Sequence, residues 1–236
     1  MDSISELRRK HPLLFVVVLL AIGWMIVDVV CAVEHVLESA RSERAHIDPE
    51  VLESLSRSVE SAGRFIDRQY TNDSLDLLLS FDSMATIEPA ETARDRIALG
   101  FEIAGKESTA ELCAILFSAR LEGGANELLT GFAYTLGGLE PAEAIDAAIS
   151  KSERDIEVMA ARKSVPWSAE RDTIVTPIGP VSRTQVILFD TEGEAPLYRF
   201  GAFHFVRNGY LVEVVGGGIE WGPEASERLV RSMRPM

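Results

Sequence analysis

An apolar segment near the N-terminus constrains this chain more than any other feature of its sequence. From Leu13 to Val33 the residues read LLFVVVLLAIGWMIVDVVCAV, and only Gly23 and Asp28 in this run are not hydrophobic. As an α-helix the segment would be about 31 Å long, which matches the ~30 Å hydrocarbon core of a bilayer. The sequence therefore predicts a single membrane-spanning helix over residues 13–33, with the lipid bilayer as a binding partner.

The charges on either side of this segment predict its orientation. Arg8, Arg9 and Lys10 precede it, whereas residues 34–44 carry mixed acidic and basic side chains. Basic residues beside a membrane helix favour the cytoplasmic side. We therefore expect residues 1–12 in the cytoplasm and residues 34–236 outside the cell (inner) membrane, in the periplasm or the extracellular space.

A cleaved signal peptide is the alternative interpretation of the same segment. Val30, Cys31 and Ala32 could form a cleavage site after Ala32. The apolar run is longer than the hydrophobic region of an ordinary signal peptide, and Asp28 lies where that region should be neutral. Both features favour a retained anchor.

The net charge of the chain lies entirely in the residues that follow the predicted anchor. The first 33 residues contain three acidic and three basic side chains, so residues 34–236 carry the whole net charge of −14. Nucleic-acid-binding proteins neutralise phosphates with Lys and Arg, and we therefore expect no nucleic-acid partner. The sequence also contains no P-loop, Gly-x-Ser-x-Gly, Cys-x-x-Cys or His-Glu-x-x-His motif, so it predicts no cofactor or metal.

Residues 34–163 are predicted to be rich in helix. Asp48 and Pro49 are suited to begin a helix, and Pro141 is suited to begin a second one that ends near Lys163. Apolar residues recur at helical spacing in both segments. The first stripe is Val51, Leu55, Val59, Ala62 and Ile66, and the second is Ile145, Ile149, Ser152, Ile156 and Met159.

Two interpretations of residues 90–121 stay open. Ser108 and Glu111 form a capping box, and the residues that follow favour a helix with Leu112, Ile115, Leu116 and Ala119 on one face. The run ELCAILF is also short and apolar enough for a buried strand. Within this run, Cys113 is predicted to be a small buried hydrophobic residue.

After Pro166 the pattern becomes that of antiparallel strands. Residues 172–176, 183–190, 197–206 and 210–215 are rich in β-branched and aromatic types and are separated by turn signals. A final amphipathic helix is predicted from Pro223, with Ala225, Leu229 and Met233 on its buried face. The expected fold class is therefore α+β: a transmembrane helix, a helix-rich segment, and a C-terminal antiparallel β-meander (166–236) closed by an amphipathic helix.

This order of elements resembles a known domain. A helix, several antiparallel strands and a closing helix that ends in Ser232-Met233-Arg234 resemble the domain of the photosystem accessory protein PsbP and its relatives. The resemblance covers about the last hundred residues. It includes no diagnostic motif, and it therefore implies no site residue, cofactor or partner.

The turn at Asn208-Gly209 predicts which residues face each other across one hairpin. A two-residue type I′ turn pairs Arg207 with Tyr210, and counting outward from it places His204 opposite Glu213. A histidine oriented by a carboxylate is a candidate general base. The alternative is a polar cross-strand pair on a partly solvated face of the sheet.

Asp28 is the second candidate site. A carboxylate inside a membrane helix is costly unless it is paired or hydrated. Asp28 is therefore a candidate contact for a partner helix, and the alternative is that its carboxylate reaches the water at the membrane interface. The preferred function is protein binding, as an accessory or assembly subunit of an envelope complex with a membrane or envelope protein as partner. The alternatives are a membrane-tethered hydrolase that uses His204 and Glu213, and an extracytoplasmic domain that binds a small ligand.

Overall fold

A computed structural model describes residues 49–89, 92–94, 113–121, 128–190, 192, 195–218 and 222–236. The predicted cytoplasmic segment 1–12, the anchor 13–33 and Asp28 lie outside these residues. Among the residues that are described, no helix combines the length and the apolar character needed to cross a bilayer. The predicted anchor and its orientation therefore stay predictions.

The described residues form an α+β fold with antiparallel sheets and a helix at the C-terminus. They include three helices, α1 (Pro49–Ser61), α2 (Pro141–Lys163) and α3 (Gly222–Arg231). The first six strands are β1 (Gly63–Ile66), β2 (Gln69–Asn72), β3 (Leu77–Ser80), β4 (Ala85–Glu88), β5 (Ala114–Leu121) and β6 (Leu128–Thr135). The last four are β7 (Trp167–Thr176), β8 (Gly179–Phe189), β9 (Pro196–Arg207) and β10 (Tyr210–Gly218).

The strands form two antiparallel sheets. A small sheet has the order β1-β2-β3, and a seven-stranded sheet has the order β4-β5-β6-β10-β9-β8-β7. The strands β7 to β10 are neighbours in sequence order, which confirms the predicted meander. The last of them, β10, also pairs with β6, so the meander continues into the strands that precede α2.

The large sheet is covered on both faces. Helix α2 packs on one face through Ala148, Ile156 and Ala160. The other face contacts α1, β3 and α3. Because both faces are buried, the central strands carry apolar side chains on both sides rather than an alternating pattern. In β6 the first seven residues are all buried.

Helix α2 has the bounds that the sequence predicts, from Pro141 to Lys163. Its first turn is closed by the carboxylate of Glu143, which accepts a hydrogen bond from the backbone N–H of Glu140 at 3.1 Å. Ser164 follows the last helical residue, and its left-handed backbone, with φ 52°, ends the helix. Ile149, Ser152 and Ile156 are buried as the predicted stripe requires.

The closing helix is also confirmed. Helix α3 starts one residue before Pro223 and buries Ala225 and Leu229. Met233, which was expected on the same helix, is buried two residues beyond its last residue, Arg231. Beyond it, the backbone N–H of Leu78 donates to the carbonyl of Arg234 at 2.9 Å, and the N–H of Arg234 donates to the carbonyl of Leu78 at 3.0 Å. The C-terminal residues therefore connect α3 to the edge of the small sheet.

The prediction that residues 34–163 are rich in helix is wrong for much of the described part. Six strands lie between α1 and α2. Ile115, Leu116 and Ala119, which were expected on one face of a helix, lie on β5, whereas Ser108 and Glu111 lie outside the described residues. Strand β5 is buried on both faces, and its continuous apolar run is one that a buried helix would share, so periodicity does not separate them.

The first predicted helix is too long at its C-terminal end. Helix α1 ends at Ser61, and Ile66 lies on β1 with 57% of its surface exposed. Gly63 starts β1, and a Cβ atom there would stand 2.3 Å from the hydroxyl of Tyr70. Strand β1 therefore replaces the helix at Gly63, where the close Tyr70 ring needs a residue without a side chain, and the chain turns back into β2 at Asp67, whose φ is 53°.

Candidate functional site

The predicted pair of His204 and Glu213 is present. Strand β9 pairs with β10 in the register expected from the turn, with Arg207 opposite Tyr210 and His204 opposite Glu213. His204 Nε2 lies 2.9 Å from Glu213 Oε1. Asn208 has φ 49° and Gly209 has φ 81°, as both positions of a type I′ turn require. The local turn chemistry therefore places two titratable side chains in contact.

Tyr134 joins this pair from the neighbouring strand. Its hydroxyl donates a hydrogen bond to Glu213 Oε2 at 3.2 Å, so each oxygen of the carboxylate contacts one donor. His204 Nε2 and Glu213 Oε1 share one hydrogen bond, and its donor is set by the imidazole tautomer. Among the described residues, no group is within hydrogen-bond reach of His204 Nδ1.

Solvent does not reach this cluster. The side chains of His204 and Glu213 are 0% and 2% exposed, and Tyr134 is equally buried. The expectation that this face of the sheet is partly solvated is wrong, because helix α2 covers it. The sequence predicts helix α2 but does not show which surface of the sheet the helix packs against. A general base must lie within hydrogen-bond reach of its substrate, and this pair is enclosed by protein. The cluster connects β6, β9 and β10 through polar side chains inside the core.

A second site lies at the other face of the large sheet. A cavity of about 190 Å³, which we call the α3 cavity, is bounded by α3, by the start of β4 and by the adjoining ends of β5 and β6. Its apolar wall consists of Phe81, Ala85, Leu121, Leu129, Ala225 and Leu229. Two charged residues, Asp82 and Arg228, also line it, and the Nε of Arg228 lies 3.2 Å from Asp82 Oδ2.

The carboxylate of Asp82 is held by several donors. Its Oδ1 accepts a hydrogen bond from the backbone N–H of Met84 at 3.1 Å and another from the hydroxyl of Ser83 at 3.2 Å. The bond from Met84, together with Ser83 and Arg228, lowers the pKa of Asp82 below its usual 3.8. Arg68 donates to the carbonyl oxygens of Asp82 and Ala85 at 2.7 and 3.1 Å. Sequence reasoning missed this site, because its residues come from separate segments and no motif joins them.

Two further polar positions are enclosed. Burial raises the pKa of the Cys113 thiol to about 12, which agrees with the predicted buried cysteine.

Asn72 begins an Asn-Asp-Ser glycosylation sequon, yet it is fully buried. Its amide donates to the carbonyl of Val59 at 2.8 Å and to the hydroxyl of Tyr70 at 2.9 Å. This amide is part of the packing between α1 and the small sheet and is not available for modification in the folded chain.

Comparisons with known proteins show weak structural similarity and no family. The chain matches no family model and no curated protein sequence. It is similar to the solution structure of cyanobacterial PsbP (CyanoP) from Synechocystis sp. PCC 6803, with 11% sequence identity and a TM-score of 0.45. The similarity covers 71% of this chain and 91% of that chain. At this identity and TM-score, no residue, ligand or partner is carried over to the present chain.

Proposed function

We propose that this chain is a single-pass membrane protein whose acidic α+β domain acts outside the cytoplasm by binding another protein. In this role it is an accessory or assembly subunit of an envelope complex. The observation that carries the proposal is the apolar segment 13–33, which is followed directly by the residues that carry the net charge of −14.

The physical basis is tethering. A domain held at a bilayer meets other membrane proteins at a high effective concentration, so a modest interface is enough for stable association. Its excess of carboxylates favours a partner with a basic face, because complementary charge steers association and disfavours acidic surfaces. Asp28 would supply a second contact within the membrane, where a carboxylate is stabilised by a donor on a neighbouring helix.

Cysteine labelling tests the topology. Val175 lies on the edge strand β7 with 80% of its surface exposed, so Val175→Cys introduces an accessible thiol. In a Cys31→Ser background, a membrane-impermeant maleimide should label Val175→Cys in sealed, right-side-out membrane vesicles. The matched variant Ser3→Cys should react only after the vesicles are permeabilised. Labelling of Ser3→Cys alone in sealed vesicles, or recovery of the chain in the soluble fraction, would overturn the topology.

Crosslinking in native membranes tests the binding role. The full chain is crosslinked, purified and analysed by mass spectrometry beside an Asp28→Ala variant and an Asp2→Ala control. We expect one membrane or envelope protein to be recovered with the parent chain and with Asp2→Ala, and to be lost or reduced with Asp28→Ala. If Asp28→Ala gives the same set of crosslinked proteins as the parent chain, Asp28 is not part of the interface. Recovery of no partner at all would refute the accessory role.

A further inference from the structure

The α3 cavity has the size and lining of a small-molecule site. An apolar cavity of about 150 Å³ accepts a benzene ring, and the α3 cavity is about 190 Å³. Six of its lining residues are apolar and come from β3–β4, β5, β6 and α3, so its wall is built from regular elements on several sides. A six- or seven-carbon apolar group therefore fits this space.

The charged residues at the cavity favour an anion. Asp82 already accepts three hydrogen bonds, from Met84, Ser83 and Arg228. Arg228 has five N–H donors, and among the described residues only Asp82 accepts a hydrogen bond from its guanidinium. The hydrogen-bond donors that are still available at the cavity are therefore mainly those of the Arg228 guanidinium.

A second guanidinium strengthens this preference. Arg68 bonds to the backbone on both sides of Met84, so the segment 82–85 contacts two arginine side chains and contains one carboxylate. At physiological salt, carboxylates farther away than about 8 Å are screened, so the net charge of −14 on the chain does not by itself exclude an anion here. Among the residues that line the cavity, Arg228 is the basic one, and its guanidinium supplies the donors for a carboxylate.

We propose that the α3 cavity binds a small monocarboxylate with a compact apolar group, such as an aromatic or branched-chain acid. The apolar group lies against Phe81, Leu129 and Leu229, and the carboxylate accepts hydrogen bonds from Arg228. A planar guanidinium can hold a carboxylate through two parallel bonds, which gives selectivity over neutral compounds of the same shape. None of the residues that line this cavity belongs to the proposed membrane anchor.

Benzoate and benzamide are suitable probes, because they share the ring and differ in charge. Each is titrated into the full chain in detergent, and binding is followed from the alanine methyl signals of Ala85 and Ala225 by NMR. We expect saturable shifts at both methyl groups, with benzoate binding about tenfold more tightly than benzamide, since one charge-assisted hydrogen bond supplies that difference. Acetate, which lacks the ring, should bind more weakly than benzoate.

Three variants separate charge from shape. Arg228→Gln should weaken benzoate to the level of benzamide and leave benzamide unchanged. Ala85→Val adds two methyl groups to the wall and should weaken both probes. Arg231→Gln is the control, because Arg231 is on the same helix, forms an ion pair with Glu227 and does not line the cavity.

Each result decides the proposal. It is supported if benzoate is preferred, if Arg228→Gln removes that preference and if Arg231→Gln keeps it. It is overturned if benzoate gives no saturable shift at Ala85 and Ala225, or if both probes bind equally. It is also overturned if Ala85→Val, folded by circular dichroism, binds benzoate as the parent does.

Discussion

Gly217 on β10 provides a sharp test of the packing between the strands. A Cβ atom at this position would lie 2.0 Å from the hydroxyl oxygen of Tyr198 and 2.9 Å from its Cζ atom. Tyr198 is on β9 and belongs to the core on the α2 side of the sheet. The ring of Tyr198 therefore occupies the space that a side chain at position 217 of β10 would need.

The cost of Gly217→Ala follows from this distance. An ordinary contact begins near 3.4 Å, so the Tyr198 hydroxyl must move by about 1.4 Å in a buried environment. Overpacking of a core costs about 1–3 kcal/mol. For a chain of this size, each kcal/mol lowers the melting temperature by about 2–4 °C. We therefore expect Gly217→Ala to lower the Tm by about 2–12 °C.

The assay is thermal unfolding of the full chain, followed by tryptophan fluorescence, because Trp167 packs against the same core. Gly201→Ala is the matched control on β9, since a Cβ atom there meets its nearest neighbour, the hydroxyl of Ser226, at 3.3 Å. It should change the Tm by about a third of that amount or less. Equal losses for Gly217→Ala and Gly201→Ala would refute the reasoning.

A double variant isolates the cause. Tyr198→Phe removes the oxygen that stands closest to the added methyl group, and the ring then needs a shift of only a few tenths of an ångström. Gly217→Ala should consequently be less destabilising in the Tyr198→Phe background than in the parent, with a coupling energy of about 1 kcal/mol. Strict additivity would show that the loss arises from the backbone and not from the clash.

Three further predictions concern the enclosed groups and the C-terminus. His204→Leu leaves the Glu213 carboxylate buried without its histidine partner and should cost about 3–5 kcal/mol by chemical denaturation, whereas adding Glu213→Leu should recover much of that loss. Equal stability of the single and double variants would contradict this. Truncation after Met233 removes both backbone hydrogen bonds to the small sheet, and amide exchange in β3 should then accelerate about tenfold while α2 is unchanged. In a Cys31→Ser chain near pH 8, the Cys113 thiol, with its pKa raised to about 12, should stay protonated and resist a disulfide reagent until the protein is unfolded. Rapid reaction in the folded state would show that the thiol is accessible.

Part of the candidate site was predictable because it depends on local chemistry. The Asn208-Gly209 turn sets the register of β9 and β10, and this register alone brings His204 opposite Glu213. Tyr134 was not predictable, because it is 79 positions from Glu213 in sequence and reaches it only through the pairing of β6 with β10. The α3 cavity was unpredictable for the same reason, since Asp82 and Arg228 meet only when α3 packs beside the start of β4.

The sequence by itself determined the elements whose signals are short in range. These are the bounds of α2, the strands of the meander, the hairpin register and the buried face of α3, and each depends on capping, turn chemistry or periodicity within a few residues. Only the tertiary structure decided that β5 is a strand, that α2 covers His204 and Glu213, and that charged and apolar residues meet at α3. The physical reason is that burial on both faces removes the alternation of polar and apolar residues from a strand, and contacts between distant segments leave no periodic trace.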